Sequence, residues 1–93
     1  RTLPAGRVDR ARFAVVSCSN MPYGFFNSYG AIAARRDLDA VLHLGDYIYE
    51  YANAQYGDGD RFGRAPIPNK EIVTLTDYRQ RYAQYRTDPD LQE

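Results

Sequence analysis

The stretch "AVLHLGDYIYEY", residues 40–51, decides the fold. An apolar run ends in Gly45 and Asp46, and tyrosines follow at positions 47, 49 and 51. An aspartate just past a buried strand is costly to keep ionised unless something compensates its charge. The wider run "DLDAVLHLG", residues 37–45, reads as a buried strand preceded by a turn. Gly45 allows a sharp turn without a clashing Cβ.

Upstream, "RFAVVS", residues 12–17, is short, apolar and rich in β-branched side chains, which suits a strand covered on both faces. A loop, "CSNMPYG", occupies residues 18–24. From Phe25 to about Arg36 the period becomes helical, with Phe25, Tyr29, Ile32 and Ala33 on one face. Arg35 and Arg36 suit the C-terminal end of a helix dipole. Strand, helix and strand make a parallel pair. Cys18 and Asp46 lie 28 residues apart (46 less 18), close to the roughly 30 that such a unit needs. Both therefore emerge at the carboxyl edge of the sheet, where open α/β folds place their ligands.

A thiol and a carboxylate brought together repel if both ionise, and become compatible if a cation lies between them. If the segment after Gly45 turns helically, Tyr49 shares a face with Asp46. Its phenolate is a hard oxygen donor suited to a strongly Lewis-acidic ion. Thiolate, carboxylate and phenolate together would neutralise a trivalent charge. Cys18 also admits the plainer reading of a small buried hydrophobe, and Asp46 that of a helix N-cap.

Downstream, residues 52–70 are rich in Gly, Asp, Asn and Pro and read as a long exposed loop. "DGDRFG", residues 58–63, resembles the start of a calcium-binding EF-hand loop. Phe62 at its fifth position and Asn69 at its twelfth exclude that reading. Arg61 and Arg64 read as surface charge rather than phosphate contacts, and Glu50 as a solvated carboxylate. Thr74 and Asp77 form a capping pair that opens a second helix. Tyr78, Tyr82 and Tyr85 share a face of it, as packing rather than chemistry. Asp88 is a plausible N-cap, with Pro89 at the first helical position. A helix start at the very end of the sequence looks cut. Two strands alone rarely stand in water. The sequence therefore reads as the front piece of a larger α/β domain, or as one that finds its missing strands in another chain.

Composition agrees with one small domain at most. Of 93 residues, 44% are hydrophobic and 26% charged, and twelve basic side chains balance twelve acidic ones. No basic excess points to nucleic acid. No apolar run approaches the ~18 residues of a membrane span, and the opening residues do not read as a signal peptide, as would also be expected of a mature secreted protein. One cysteine excludes an internal disulfide. Nine tyrosines without a tryptophan is unusual, and several should sit between core and water or on a ligand. Residues 1–11, broken by Pro4 and Gly6, read as a lead-in.

"HLGDYIYEY" matches the Gly-Asp-x-x-Tyr block of two-metal phosphoesterases. With "FAVVSCSN" and "RQRYAQYRTDPDLQ", the chain resembles the alkaline phosphatase D (PhoD-like) branch of the metallophosphatases from about Arg7 onward. Most metallophosphatases open with Asp-x-His, and Ser17-Cys18-Ser19 in its place is the pattern of this branch. The resemblance implies a four-layer α/β/β/α sandwich, of which residues 12–93 would be the incomplete N-terminal portion. It implies ferric iron and calcium as cofactors, hydrolysis of phosphate mono- and diesters, and a place outside the cytoplasm, extracellular or periplasmic. Cys18, Asp46 and Tyr49 would be metal ligands, with Asp46 bridging the two ions. The family's later asparagine, aspartate and histidine ligands are not in this sequence, and His43, the only histidine, is expected to face away. No catalytic group beyond the ligands is identified. The isolated chain is expected to have little or no activity. Of two alternatives, one is set aside and one stays open. A cysteine phosphatase would need an arginine six residues after Cys18, where Gly24 stands. A non-catalytic fragment that binds metal or phosphate, or that assembles with another chain or with itself, stays open.

Overall fold

The computed structural model describes residues 5–92. The first four residues of the expected lead-in lie outside that range, and the rest of it carries no helix or strand. Strand β1, Phe13–Val16, pairs in parallel with β2, Ala40–His43, in a two-stranded sheet. Phe13 lies opposite Ala40 and Val16 opposite His43. The intervening residues carry helix α1, Asn27–Ala33, which makes the strand–helix–strand order read from the sequence.

Two local expectations are corrected. Helix α1 is shorter than residues 25–36. Phe26 is its N-cap and Ala34 its C-cap, so Phe25 precedes it and the two arginines follow it. Phe26 turns into the core (7% exposed) while Phe25 stays outside (62%). Gly30 within the helix weakens its propensity. Arg35 turns to Asp37 with two hydrogen bonds of 2.9 and 2.8 Å rather than to the helix end. That pairing holds the Asp37 carboxyl down at about 2.

The strands, expected to be covered on both faces, are open. Val15 is 58% exposed, Val41 48% and Leu42 46%. Helix α1 packs instead on α3, Pro89–Gln92. Their approach is close at Gly30, where an added Cβ would lie 2.7 Å from Asp90 Oδ1. The core sits beside the sheet, on Met21, Phe26 and Tyr85, with Tyr29, Tyr47, Ile48 and Leu91 around it.

Helix α2, Leu75–Tyr85, opens with the capping box that Thr74 and Asp77 announce. The tyrosine stripe is packing at its core end. Tyr85 is buried, its hydroxyl accepts the Met21 amide at 3.0 Å, and burial raises its pKa. Tyr82 rests on Tyr47 with ring centroids 5.6 Å apart, and Tyr78 is exposed. Asp88 accepts the Asp90 amide at 3.0 Å as the expected cap of α3. It also forms a 2.7 Å salt bridge with Arg64. Arg64 is therefore no surface charge. Its side chain is 12% exposed and lies over the rings of Phe25 and Phe26. Arg61 is exposed as expected. The 58–63 segment is a 3₁₀ turn, Gly59–Phe62, capped by Asp58, whose acids face Asn53.

Candidate functional site

The parallel ladder continues beyond the strands. Leu44 N donates to Val16 O at 2.9 Å, Cys18 N to Gly45 O at 3.2 Å and Ser19 N to Asp46 O at 2.8 Å. This zips the two post-strand loops together at the carboxyl edge, so residues 28 apart in sequence become neighbours.

The turn out of each strand is left-handed. Gly45 has φ +126°, which a side chain would oppose. Cys18 has φ 61° and Asp46 φ 56°, values that cost a residue with a Cβ about 1–2 kcal/mol each. Strain of this kind persists only where the surroundings over-determine it. Here it aims both side chains at one point. The Cys18 thiol donates to Asp46 Oδ2 at 3.6 Å, and the Tyr49 hydroxyl donates to the same oxygen at 3.3 Å.

The three sequence-chosen residues thus converge on one carboxylate oxygen. The route to Tyr49 differs from the expected one. Residues 45–49 form bends, not a helical turn, so Asp46 caps no helix. The contact arises from the left-handed Asp46 backbone followed by bends. Cys18 is exposed, against its reading as a buried hydrophobe. Burial, the Cys18 hydrogen bond and the Asp46 charge together raise the Tyr49 pKa, so the phenol is neutral when no cation is present.

Among the described residues no three histidine, cysteine, aspartate or glutamate side chains gather as a metal site. The cluster has two members of those types and takes its third donor from tyrosine. A thiol, a carboxylate and a phenol directed at one point fit a highly charged cation, which would displace the protons now shared among them. A cleft of about 380 Å³ lies beside the cluster, lined by Cys18, Asn20, Tyr23, Tyr49, Tyr51 and Tyr56.

His43 belongs to a separate group, as expected. Its Nε2 lies 3.0 Å from Tyr29 Oη and 3.2 Å from Ser19 Oγ, and those two oxygens also bond to each other. Its Nδ1 accepts the Gly45 amide at 3.2 Å, which places the ring proton of the neutral imidazole on Nε2. This ring of three side chains braces the loops that carry Cys18 and Asp46 from behind. Sequence reading did not find it, because a serine, a tyrosine and a histidine on three elements share no spacing signal.

Helix α2 supplies a second brace. Arg81 is 1% exposed and donates to Tyr49 O at 2.6 Å and Tyr51 O at 3.0 Å. Arg81 is one of two arginines on a mostly polar helix, and nothing in the sequence marks it rather than Arg79 for burial.

The family model described as PhoD-like phosphatase matches residues 13–93. Alkaline phosphatase D of Bacillus subtilis (strain 168) is 44% identical over 94 residues, which cover 98% of this chain and 16% of that protein. A solved structure of PhoD is similar with a TM-score of 0.80 at 42% identity, over 97% of this chain and 17% of that one. The chain spans about a sixth of the length of these relatives. The match takes in both strands, the strained turns and all three converging side chains, and the chain belongs to the PhoD-like phosphatase family.

Proposed function

We propose that these residues are the N-terminal part of an enzyme that hydrolyses phosphate mono- and diesters outside the cytoplasm. They would form one edge of a four-layer α/β/β/α sandwich. The observation that carries this reading is the meeting of Cys18 Sγ and Tyr49 Oη at Asp46 Oδ2, 3.6 and 3.3 Å away. The family membership supports it. So do the open apolar faces of β1 and β2, which suit burial under further strands and helices.

Cys18, Asp46 and Tyr49 would hold a ferric ion, and Asp46 would also serve a neighbouring calcium ion. Ferric iron and calcium supply Lewis acidity toward phosphoryl oxygens and water when bound. The chain's own part is to keep a soft and two hard donors at fixed separation. The ladder beyond the strands fixes Cys18 against Gly45, and the His43–Tyr29–Ser19 ring steadies both loops. The remaining ligands come from the rest of the protein or from another chain.

The full-length protein, supplied with iron and calcium, is expected to turn over an aryl phosphodiester. Asp46→Asn and Tyr49→Phe should each lower kcat/KM by about 100-fold or more, since even partners outside the ligand set cost 10–100-fold in such sites. The 93-residue segment alone should be inactive. Stoichiometric iron binding by the full-length protein without turnover would favour a non-catalytic binding module. Turnover by the segment comparable to that of the full-length protein would overturn the incomplete-site reading.

A further inference from the structure

We propose that Arg81 is a positioning residue for Tyr49, its guanidinium fixing the backbone of residues 49–51 so that the phenol meets Asp46. The proposal rests on the reading of Tyr49 as a ligand.

Every N–H of the guanidinium has a backbone carbonyl to meet. Nη1 donates to Tyr49 O at 2.6 Å and Tyr51 O at 3.0 Å. Nη2 donates to Pro68 O at 2.7 Å and Lys70 O at 3.2 Å, and Nε to Ile67 O at 3.2 Å. A planar fork with five fixed donors satisfies this set, and no other side chain carries one. Burial lowers the Arg81 pKa, so keeping the charge there works against the group's own solvation.

The pattern of carbonyls gives the consequence for Tyr49. Carbonyls 49 and 51 turn to Arg81, while carbonyl 50 accepts the Ile72 amide at 2.9 Å. Alternate carbonyls pointing opposite ways define an extended segment, in which side chains 49 and 51 fall on one face. Their rings accordingly stack, with centroids 6.0 Å apart and planes 21° apart. With the carbonyl of residue 49 held, its Cα–Cβ direction is held too, and the hydroxyl arrives at Asp46 Oδ2. Arg81 touches neither Asp46 nor Cys18 among its bonds, so it acts through the backbone.

The test is made on the full-length protein loaded with ferric iron, reading the visible absorption of an iron-bound phenolate and iron retention against a chelator. Arg81→Lys keeps a charge but has three donors in place of the fork, and Arg81→Ala is the harsher variant. Gln84→Ala is the structural control. Gln84 ties the same loop through Ile67 N and Ala65 O but does not touch residues 49–51. Arg81→Lys is expected to lose most of the visible band and to retain iron about 10–100-fold less well. Gln84→Ala should lower Tm and leave the band in place.

A folded Arg81→Lys with an unchanged band overturns the proposal, as does an equal loss in Gln84→Ala. If Arg81→Ala unfolds, the Lys variant decides. If Arg81→Lys unfolds too, amide exchange in the iron-free wild type decides. Ile72, which donates to Glu50, must then be protected as long as the α2 amides, and early exchange there overturns the proposal. A wild type with no phenolate band, or a band that survives Tyr49→Phe, overturns the ligand reading itself and the proposal with it.

Discussion

Cys18 and Asp46 carry their side chains on left-handed backbone, at φ 61° and 56°, where glycine would sit without strain. Cys18→Gly makes this measurable. It relieves about 1–2 kcal/mol of backbone strain against about 0.5–1 kcal/mol of added chain entropy. The metal-free variant should therefore unfold at the wild-type temperature or slightly above, while iron uptake falls. Cys18→Val should unfold earlier, because a β-branched side chain tolerates that backbone least. A clear drop in Tm for Cys18→Gly would show that the strain is not carried at this residue. The pairing of Cys18 with Asp46 was legible from the length of the strand–helix–strand unit. The backbone that aims them was not, since cysteine carries no mark of a positive φ and aspartate only a weak one. Arg64 was misread for a related reason. Its partner Asp88 lies 24 residues on, and nothing local marks the pair as buried.

Helix α2 is the element read most directly, because Thr74 and Asp77 mark its first turn by composition alone. The Asp77 carboxyl accepts the amides of Val73 and Thr74 and pairs with Lys70 Nζ at 3.0 Å. The Lys70 bond first, with Thr74 and Val73 behind it, brings its pKa down to about 2. In the unfolded chain the same group titrates at about 3.9. The unfolded state thus takes up the proton first, so this stabilisation is complete above about pH 4 and is lost as pH falls through about 2. Asp77→Asn should lower Tm at neutral pH and flatten the acid limb of the Tm profile between those values. Equal acid limbs in the two proteins would place the acid sensitivity elsewhere. Helix α1 was the harder element. Its periodic face extends past both ends, but Phe26 caps it and Asp37 captures Arg35.

Across the whole molecule the Cα radius of gyration is 15.6 Å and the extents are 48 × 27 × 18 Å. A compact chain of this length has a radius near 12 Å. The apolar runs of β1 and β2 correctly foretold strands and a parallel pair. They overstated burial, because a strand's composition shows that its faces suit cover without naming what covers them, and none of the described residues does so fully.

The five bonds of Arg81 span the long 52–70 loop from both sides, and this bears on proteolysis. Trypsin cutting after exposed Arg61 would leave one piece ending there and another beginning at Phe62. Arg81 and Ile72 of the second piece would still grip residues 49–51 of the first, and Tyr85 would still hold Met21. The severed protein should elute from a sizing column as a single species and come apart only in denaturant. Scission of the covalent chain at that loop would not be dissociation of the fold.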